Sequence, residues 1–256
     1  MKMNSSGTHL NLERFFAALK LDMLVQWRIK LYLIGVLAGV IVAVAVAQIT
    51  AANQLYLVIP ALMLLVIGGS TMLYVAALVI FERDEATINA VIVSPLRTTE
   101  YLFAKIFSLL ILITVECITM IGGSMFLIWL AGTGTEPLTV PNIGLLWLGI
   151  TGNAVIYTLI GIILIVRYRR ITEFLIPLAV VAIVLEIPVI YFLDIFMHPL
   201  LLVIPTSAPT LIIRGAFVEC TRLEWAYAVG YSILLIIGLS FWGYHAFKKH
   251  LVMTIP

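Results

Sequence analysis

Two carboxylates lie within long apolar stretches of this sequence and are the side chains most suited to chemistry there. Glu116 stands inside the apolar run 104–131, and Glu186 stands two residues before Pro188. An ionisable side chain near mid-bilayer costs about 2.5 to 3.5 kcal/mol on insertion scales, so each must be protonated, paired or turned inward. They could be polar points on a transport path or a proton-sensitive pair. They could equally form structural hydrogen bonds between helices, and Asn153 invites the same comparison with the structural role favoured.

The sequence gives no support for ATP hydrolysis or metal binding by this chain. No G-x-x-x-x-G-K-[ST] phosphate loop occurs, and Gly122-Gly123-Ser124 lies in an apolar run without the lysine. The four histidines are scattered, with no carboxylate or cysteine at metal-ligand spacing. We therefore expect no catalytic residue, no metal site, no directly bound cofactor and no ATPase activity in this chain.

A charged stretch runs from Phe81 to Lys105 between two apolar runs and holds seven of the chain's 28 charged residues. Helical spacing of Asp84, Ile88 and Val91 predicts a short helix with an acidic beginning and one apolar edge. Ser94-Pro95 then breaks this helix, since proline disfavours helix in the residue before it. A short helix joined by a sharp corner to a membrane helix forms a lever, and its apolar edge needs headgroups or a partner protein to cover it. The alternative is a solvated loop whose charges anchor the next span.

The elements that position these residues follow from composition. The chain is 63% hydrophobic with a mean hydropathy of +1.16, which excludes a water-soluble globular domain. A membrane-spanning helix needs about 20 mostly apolar residues, and strand-like alternation is absent. We predict an all-α polytopic membrane protein. Its spans are expected at 31–51, 56–81, 104–131, 143–166, 174–193 and 225–247.

Orientation follows from the basic residues, because cytoplasmic loops carry the excess of Lys and Arg. If the N-terminus is inside, the inner segments hold 13 of the 15 Lys and Arg residues, and Arg214 and Arg222 fall outside. We therefore expect a multi-pass protein of the cytoplasmic membrane with both termini in the cytoplasm.

Two further elements are predicted beside the spans. Apolar residues from Leu12 to Trp27 recur at helical spacing, which predicts a helix along the cytoplasmic interface, with an ordinary cytosolic tail as the alternative. The outer loop 194–224 contains two short apolar pieces divided by the segment 205–209. These pieces predict a pair of short re-entrant helices, with a plain extracellular loop as the alternative.

Small residues form a stripe in the first predicted span. Gly35-x-x-x-Gly39 permits close approach of another helix, and the stripe continues at Ala43 and Ala47. It could pack within the chain or form part of a dimer seam, and the first use is the more frequent.

The run E-R-D-E-A-T-I-N-A-V-I-V-S-P-L-R-T-T-E-Y-L-F-A-K resembles the E-R-E-x-G-T-L-E-x-L-x-V-S-P-L-x-x-x-E-x-L-x-x-K pattern of type-2 ATP-binding cassette exporter permeases. The likeness extends to the whole layout, and within that family it is nearest to small drug (fluoroquinolone) export permeases. Ala86 stands where the family usually has glycine, and Ile88 replaces its leucine; both fit a helix. The resemblance implies a single transmembrane domain over 1–256, with an interfacial helix (1–30), a six-span bundle (31–247) and a cytoplasmic tail (248–256).

By resemblance, residues 82–93 would be the coupling helix that docks on an ATPase subunit, with Ser94-Pro95 as its exit corner and Arg169 and Arg170 in a second contact. The residues assigned to ATPase coupling are Glu82, Arg83, Asp84, Glu85, Thr87, Ile88, Val91, Ser94, Pro95, Arg97, Arg169 and Arg170. Glu116, Asn153 and Glu186 are the candidate transport-path residues.

The resemblance also implies the partners. They are a cytosolic ATPase subunit that binds ATP and Mg, a second permease copy, identical or homologous, and membrane lipid; no nucleic acid is expected. The implied function is export of a drug, peptide or lipid-like substrate driven by ATP. The alternative is an ion-coupled carrier or membrane scaffold that uses Glu116 and Glu186.

Overall fold

The computed structural model of the chain describes residues 12–50, 54–84, 98–131, 140–168 and 171–247. The secondary structure in these ranges is helical. It consists of α1 (Leu12–Arg28), α2 (Leu31–Ile49), α3 (Leu55–Asp84), α4 (Thr98–Ala131), α5 (Ile143–Ile165), α6 (Ile171–Glu186), α7 (Val189–Phe192), a 3₁₀ helix (Pro199–Val203), α8 (Ser207–Gly215) and α9 (Arg222–Phe247). Among the described residues, six segments are long and apolar enough to cross a membrane, which confirms the predicted all-α, six-span fold.

The spans agree with the predicted ones to within a few residues, except where buried charges extend a helix. The helix of span two, α3, has 30 residues and continues to Asp84. The helix of span three, α4, has 34 residues and begins at Thr98 rather than at 104. The α3 extension contains Glu82, which accepts from Lys105, and the α4 extension contains the buried Glu100.

Span five is interrupted near its C-terminal end. Helix α6 stops at Glu186, and α7 follows after Pro188, whose ring nitrogen cannot donate a hydrogen bond. The Thr206 hydroxyl group donates to the Leu185 carbonyl oxygen at 2.6 Å. A carbonyl group at the end of α6 is thereby satisfied by the outer segment.

The small residues of α2 pack against α4. A Cβ atom added at Gly39 would lie 2.8 Å from the Glu116 carbonyl oxygen and 3.1 Å from the Thr119 Cβ atom. Ala43 is 1% exposed and faces Gly123 of α4. The stripe is therefore used for packing within the chain, the more frequent of the two uses considered.

The segment before span six forms two short helices, as the apolar pieces predicted. Helix α8 is buried from Ser207 to Ile213 and crosses α5 closely, since a Cβ atom at Gly149 would lie 2.8 Å from the Ile213 nitrogen atom. The predicted break over 205–209 is too long, because α8 already begins at Ser207. Pro209 lies in its first turn, where the missing N–H group leaves no hydrogen bond unmade.

Candidate functional site

Six polar side chains from three helices meet in a buried group next to the beginning of α4. We call this group the Lys105 cluster. Its members are Asp22 and Gln26 of α1, Glu82 of α3, and Tyr101, Lys105 and Ser108 of α4. Each of them is at most 7% exposed.

Lys105 is the cation of the cluster and lies between two carboxylates. Its Nζ atom donates to Glu82 Oε1, and the Tyr101 hydroxyl group donates to Glu82 Oε2. The same Nζ atom lies 3.7 Å from Asp22 Oδ1. One buried positive charge thus ties α4 to α1 and to α3.

Ser108 and Gln26 complete the contact between α1 and α4. Gln26 Nε2 donates to Ser108 Oγ at 2.9 Å, and Ser108 Oγ lies 3.4 Å from Asp22 Oδ2. Burial raises the pKa of the Asp22 carboxyl group from 3.8 to about 6, and the Lys105 charge only partly opposes this rise. The ionisation of Asp22 therefore depends on how closely Lys105 is held beside it.

Glu82 lies at the end of α3, whereas residues 85–93 of the predicted coupling helix lie outside the described ranges. The sequence placed Glu82, Arg83 and Asp84 at the beginning of a new helix, but their backbones form the last turn of α3. The Glu82 side chain is 7% exposed and turns towards Lys105. Its Oε1 atom accepts from Lys105 Nζ, so this side chain lies inside the protein and not on an exposed helix face.

Helix α1 buries polar side chains and exposes apolar ones, which is the opposite of an amphipathic helix in a soluble protein. Its buried residues are the polar Asp22 and Gln26, whereas Phe16 is 59% and Trp27 is 72% exposed. The predicted apolar stripe is present on α1, where Leu12, Phe16 and Trp27 are exposed and the remaining members are half-buried.

Glu116 lies between three helices in the middle of the bundle. It is 1% exposed, and the Tyr74 hydroxyl group donates to its Oε2 atom at 3.2 Å. Its Oε1 atom has no hydrogen-bond partner in the part of the chain that the structure describes. Gly35 of α2 covers the carboxylate and the tyrosine, because a Cβ atom there would lie 3.2 Å from the Tyr74 hydroxyl oxygen.

Glu186 and Asn153 have other neighbours, nearer to the short outer helices. A Cβ atom at Gly68 would lie 2.7 Å from the Tyr157 hydroxyl oxygen and 2.9 Å from Glu186 Oε1. The side chains of Tyr157 and Glu186 therefore both pack against this glycine. Asn153 Nδ2 donates to Thr210 Oγ1 at 2.9 Å, which joins α5 to α8. The two candidate carboxylates therefore lie beside different tyrosines on different helices.

Several predicted coupling residues lie outside the described ranges. They are Glu85, Thr87, Ile88, Val91, Ser94, Pro95, Arg97, Arg169 and Arg170. Most of them belong to segment 85–97, which connects the last residue of α3 to the first residue of α4. Both ends of this segment are therefore close in sequence to the Lys105 cluster, with Glu82 just before it and Lys105 on the second turn of α4.

Sequence reasoning missed most of the Lys105 cluster. It assigned Lys105 to loop charge and did not single out Asp22, Gln26, Tyr101 or Ser108. A signal existed in α1, where Asp22 and Gln26 are four residues apart and therefore share one helix face.

Comparison with known proteins gives a family match over nearly the whole chain. The profile of the fluoroquinolones export permease protein family matches residues 13–255. Two relatives from Mycobacterium tuberculosis, strains CDC 1551 / Oshkosh and ATCC 25618 / H37Rv, are named fluoroquinolones export permease proteins. Each is 31% identical to this chain over 172 residues, which is 65% of the chain and 66% of the relative. The matched region therefore spans slightly less than two thirds of these relatives.

Proposed function

Because this chain belongs to the fluoroquinolones export permease protein family, we propose that it is the permease subunit of an ATP-driven exporter whose ATPase is a separate polypeptide. The family match and the six apolar helices support a membrane permease. ATP and Mg would bind to the partner ATPase, and a second permease copy would complete the transport path.

The observation that carries the ATP-coupling proposal is the Lys105 cluster. Force from a cytosolic ATPase has to reach the membrane helices through packed, rigid contacts. Segment 85–97 joins α3 to α4, and the cluster holds these two helices together through Glu82 and Lys105. A push on the segment would therefore move α3 and α4 as a unit, and Asp22 would carry the movement to α1.

The docking surface is proposed to lie beyond Glu82. Ile88, Val91, Ser94 and Pro95 of the motif would contact the ATPase, with Arg169 and Arg170 in a second contact. Glu82 then serves as an anchor inside the permease. This arrangement requires both termini and segment 85–97 on the cytoplasmic side, as the distribution of Lys and Arg supports.

The substrate class follows from the names of the relatives and from the polar groups inside the bundle. We propose export of fluoroquinolone-like organic molecules, with Glu116, Glu186 and Asn153 along the path. Such molecules carry both apolar rings and polar groups, and the carboxylates offer hydrogen-bond acceptors in an otherwise apolar bundle.

Reconstitution tests this function. The purified chain and its ATPase subunit are placed in proteoliposomes, and uptake of a fluoroquinolone is measured with ATP and Mg supplied on the ATPase side. We expect uptake that requires both subunits and ATP hydrolysis. Equal uptake by the permease without the ATPase would overturn the proposal.

An ion-coupled carrier is the second candidate, and one observation favours it. Glu116 is a buried carboxylate with one oxygen atom unpartnered among the described residues, which suits proton binding. In the same proteoliposomes, a carrier would respond to an imposed proton gradient without ATP, and Glu116→Gln would abolish that response.

A further inference from the structure

An open apolar groove runs along α1 on the side away from the Lys105 cluster. Its volume is about 720 Å³, and α1, α2 and α4 all contribute to its walls. Six side chains of α1 line it together with Tyr32 of α2 and Ile111 of α4, and Lys20 is the charged residue among its lining side chains. The three apolar residues of α1 that the argument uses are Phe16, Met23 and Trp27. The groove thus combines a long apolar wall with one ammonium group.

The exposed charges beside the groove are mostly basic. Between residues 15 and 30 they are Lys20, Arg28 and Lys30, and one turn earlier Glu13 and Arg14 contribute opposite charges. The one acidic residue between 15 and 30, Asp22, is turned inward and lies 3.7 Å from the Lys105 ammonium group. Because Asp22 is buried and paired with Lys105, its carboxylate does not face an anion that binds near the groove.

The groove lies beside one end of a membrane-crossing helix. α1 ends at Arg28, and α2, the first span, begins at Leu31, so we expect α1 to lie at the level of the lipid headgroups. A molecule that fits needs an apolar chain for the aromatic wall and a negative group for Lys20. Anionic phospholipids have both, and basic residues near a membrane surface attract them.

We propose that the groove between α1, α2 and α4 is a binding site for one anionic phospholipid, whose acyl chain lies along Phe16, Met23 and Trp27 and whose phosphate contacts Lys20. The site does not depend on the exporter function proposed above. It gives α1 a ligand of its own on a face next to the one that carries Asp22 and Gln26.

Native mass spectrometry of the purified chain tests this site. The protein is titrated with phosphatidylglycerol and with phosphatidylcholine of the same acyl chains. We expect one discrete phosphatidylglycerol molecule to bind about fivefold or more tightly than phosphatidylcholine. Lys20→Gln should abolish this preference, and Met23→Trp, which fills the groove, should weaken the binding of both lipids. Arg28→Gln is the matched control, since Arg28 is exposed on the same helix but does not line the groove.

Three results would overturn the proposal. Equal affinity of the wild-type chain for the two lipids would remove the role of charge. Equal loss in Lys20→Gln and Arg28→Gln would show diffuse attraction without a site. A change in the monomer–dimer ratio on Met23→Trp, with lipid binding unaltered, would assign the groove to a second copy of this chain. Circular dichroism and gel filtration of each variant show whether it is folded.

Discussion

The Lys105 ammonium group lies 3.7 Å from the Asp22 carboxylate, and both side chains are buried where α1 meets α4. Lys105 also donates to Glu82, so one cation holds two carboxylates from two other helices. Paired buried charges of this kind are weak evidence for net stability, but removing one partner leaves an uncompensated charge. The predictions on stability follow from this asymmetry.

Lys105→Met should strongly destabilise the protein. It removes the cation and leaves Glu82 and Asp22 facing each other in a site that excludes water. The expected loss in the free energy of unfolding is about 3 to 5 kcal/mol. The measurement is denaturant or thermal unfolding of the purified protein in detergent.

Arg28→Met is the matched control for this loss, since Arg28 is an exposed basic residue on the neighbouring helix α1. The free energy of unfolding should change by less than about 1 kcal/mol, because an exposed cation at a helix C-terminus contributes little. If Lys105→Met were as stable as this control, the charge pairing would have no structural role.

Asp22→Asn should change how stability depends on pH. Burial raises the pKa of Asp22 to about 6, above its ordinary 3.8, so the folded state binds this proton more tightly than the unfolded state. The stabilisation from protonated Asp22 is complete below pH 3.8 and is lost as the pH rises through about 6. The groups that face Asp22 are Lys105, Glu82 and Ser108.

The measured quantity is the difference in unfolding free energy between wild type and Asp22→Asn at about pH 4 and about pH 7. We expect the wild type to lose up to about 2 kcal/mol relative to the variant over this interval. The same pair of measurements on Glu173→Gln, which removes an exposed carboxylate, is the matched control. A wild type that gains stability relative to Asp22→Asn as the pH rises would contradict the prediction.

Gly39→Ala should weaken the packing of α2 on α4. The added Cβ atom would stand 2.8 Å from the Glu116 carbonyl oxygen, which belongs to the backbone and cannot turn aside. The expected cost is about 1 to 3 kcal/mol. Gly122→Ala makes the same chemical change in α4 at a position with open space, and it should be neutral or stabilise by up to about 1 kcal/mol. Equal thermal stability of the two variants would mean that α2 does not pack tightly there.

Ile88→Asp and Glu85→Arg test the docking segment. Both residues belong to the motif stretch 85–97, and we expect normal membrane insertion but loss of co-purification with the ATPase subunit. Glu219→Arg is the control, because Glu219 is exposed in the segment before α9, which is expected at the opposite membrane surface. Retained association of Ile88→Asp with the ATPase would remove the docking role from this segment.

Local patterns predicted the spans well because burial in a membrane depends on continuous apolar length. The predicted beginning of span four at 143 coincides with the observed Ile143, where Asn142 caps α5 by accepting from the Gly144 and Leu145 nitrogen atoms. The motif and the layout also predicted the permease family, which the match over residues 13–255 confirms.

Local sequence patterns could not predict the Lys105 cluster, because its contacts join residues that are far apart in the sequence. Glu82 lies 23 residues from Lys105, and Gln26 lies 82 residues from Ser108. In the sequence alone, Glu82 is an ordinary interfacial carboxylate, and its burial becomes evident when α4 is placed beside α3. Long-range pairing of this kind cannot be derived from periodicity or composition.

Helix α4 is too long for the membrane that it crosses. Its 34 residues correspond to about 51 Å, against a hydrocarbon layer of about 30 Å, and even a tilt of about 40° would leave about 9 Å beyond the hydrocarbon. Glu100 and Lys105 lie near its first residues, so the surplus length is at that end. With the last turns of α3 alongside, we expect the two helix ends that residues 85–97 connect to project beyond the hydrocarbon, within reach of a water-soluble protein that does not enter the lipid.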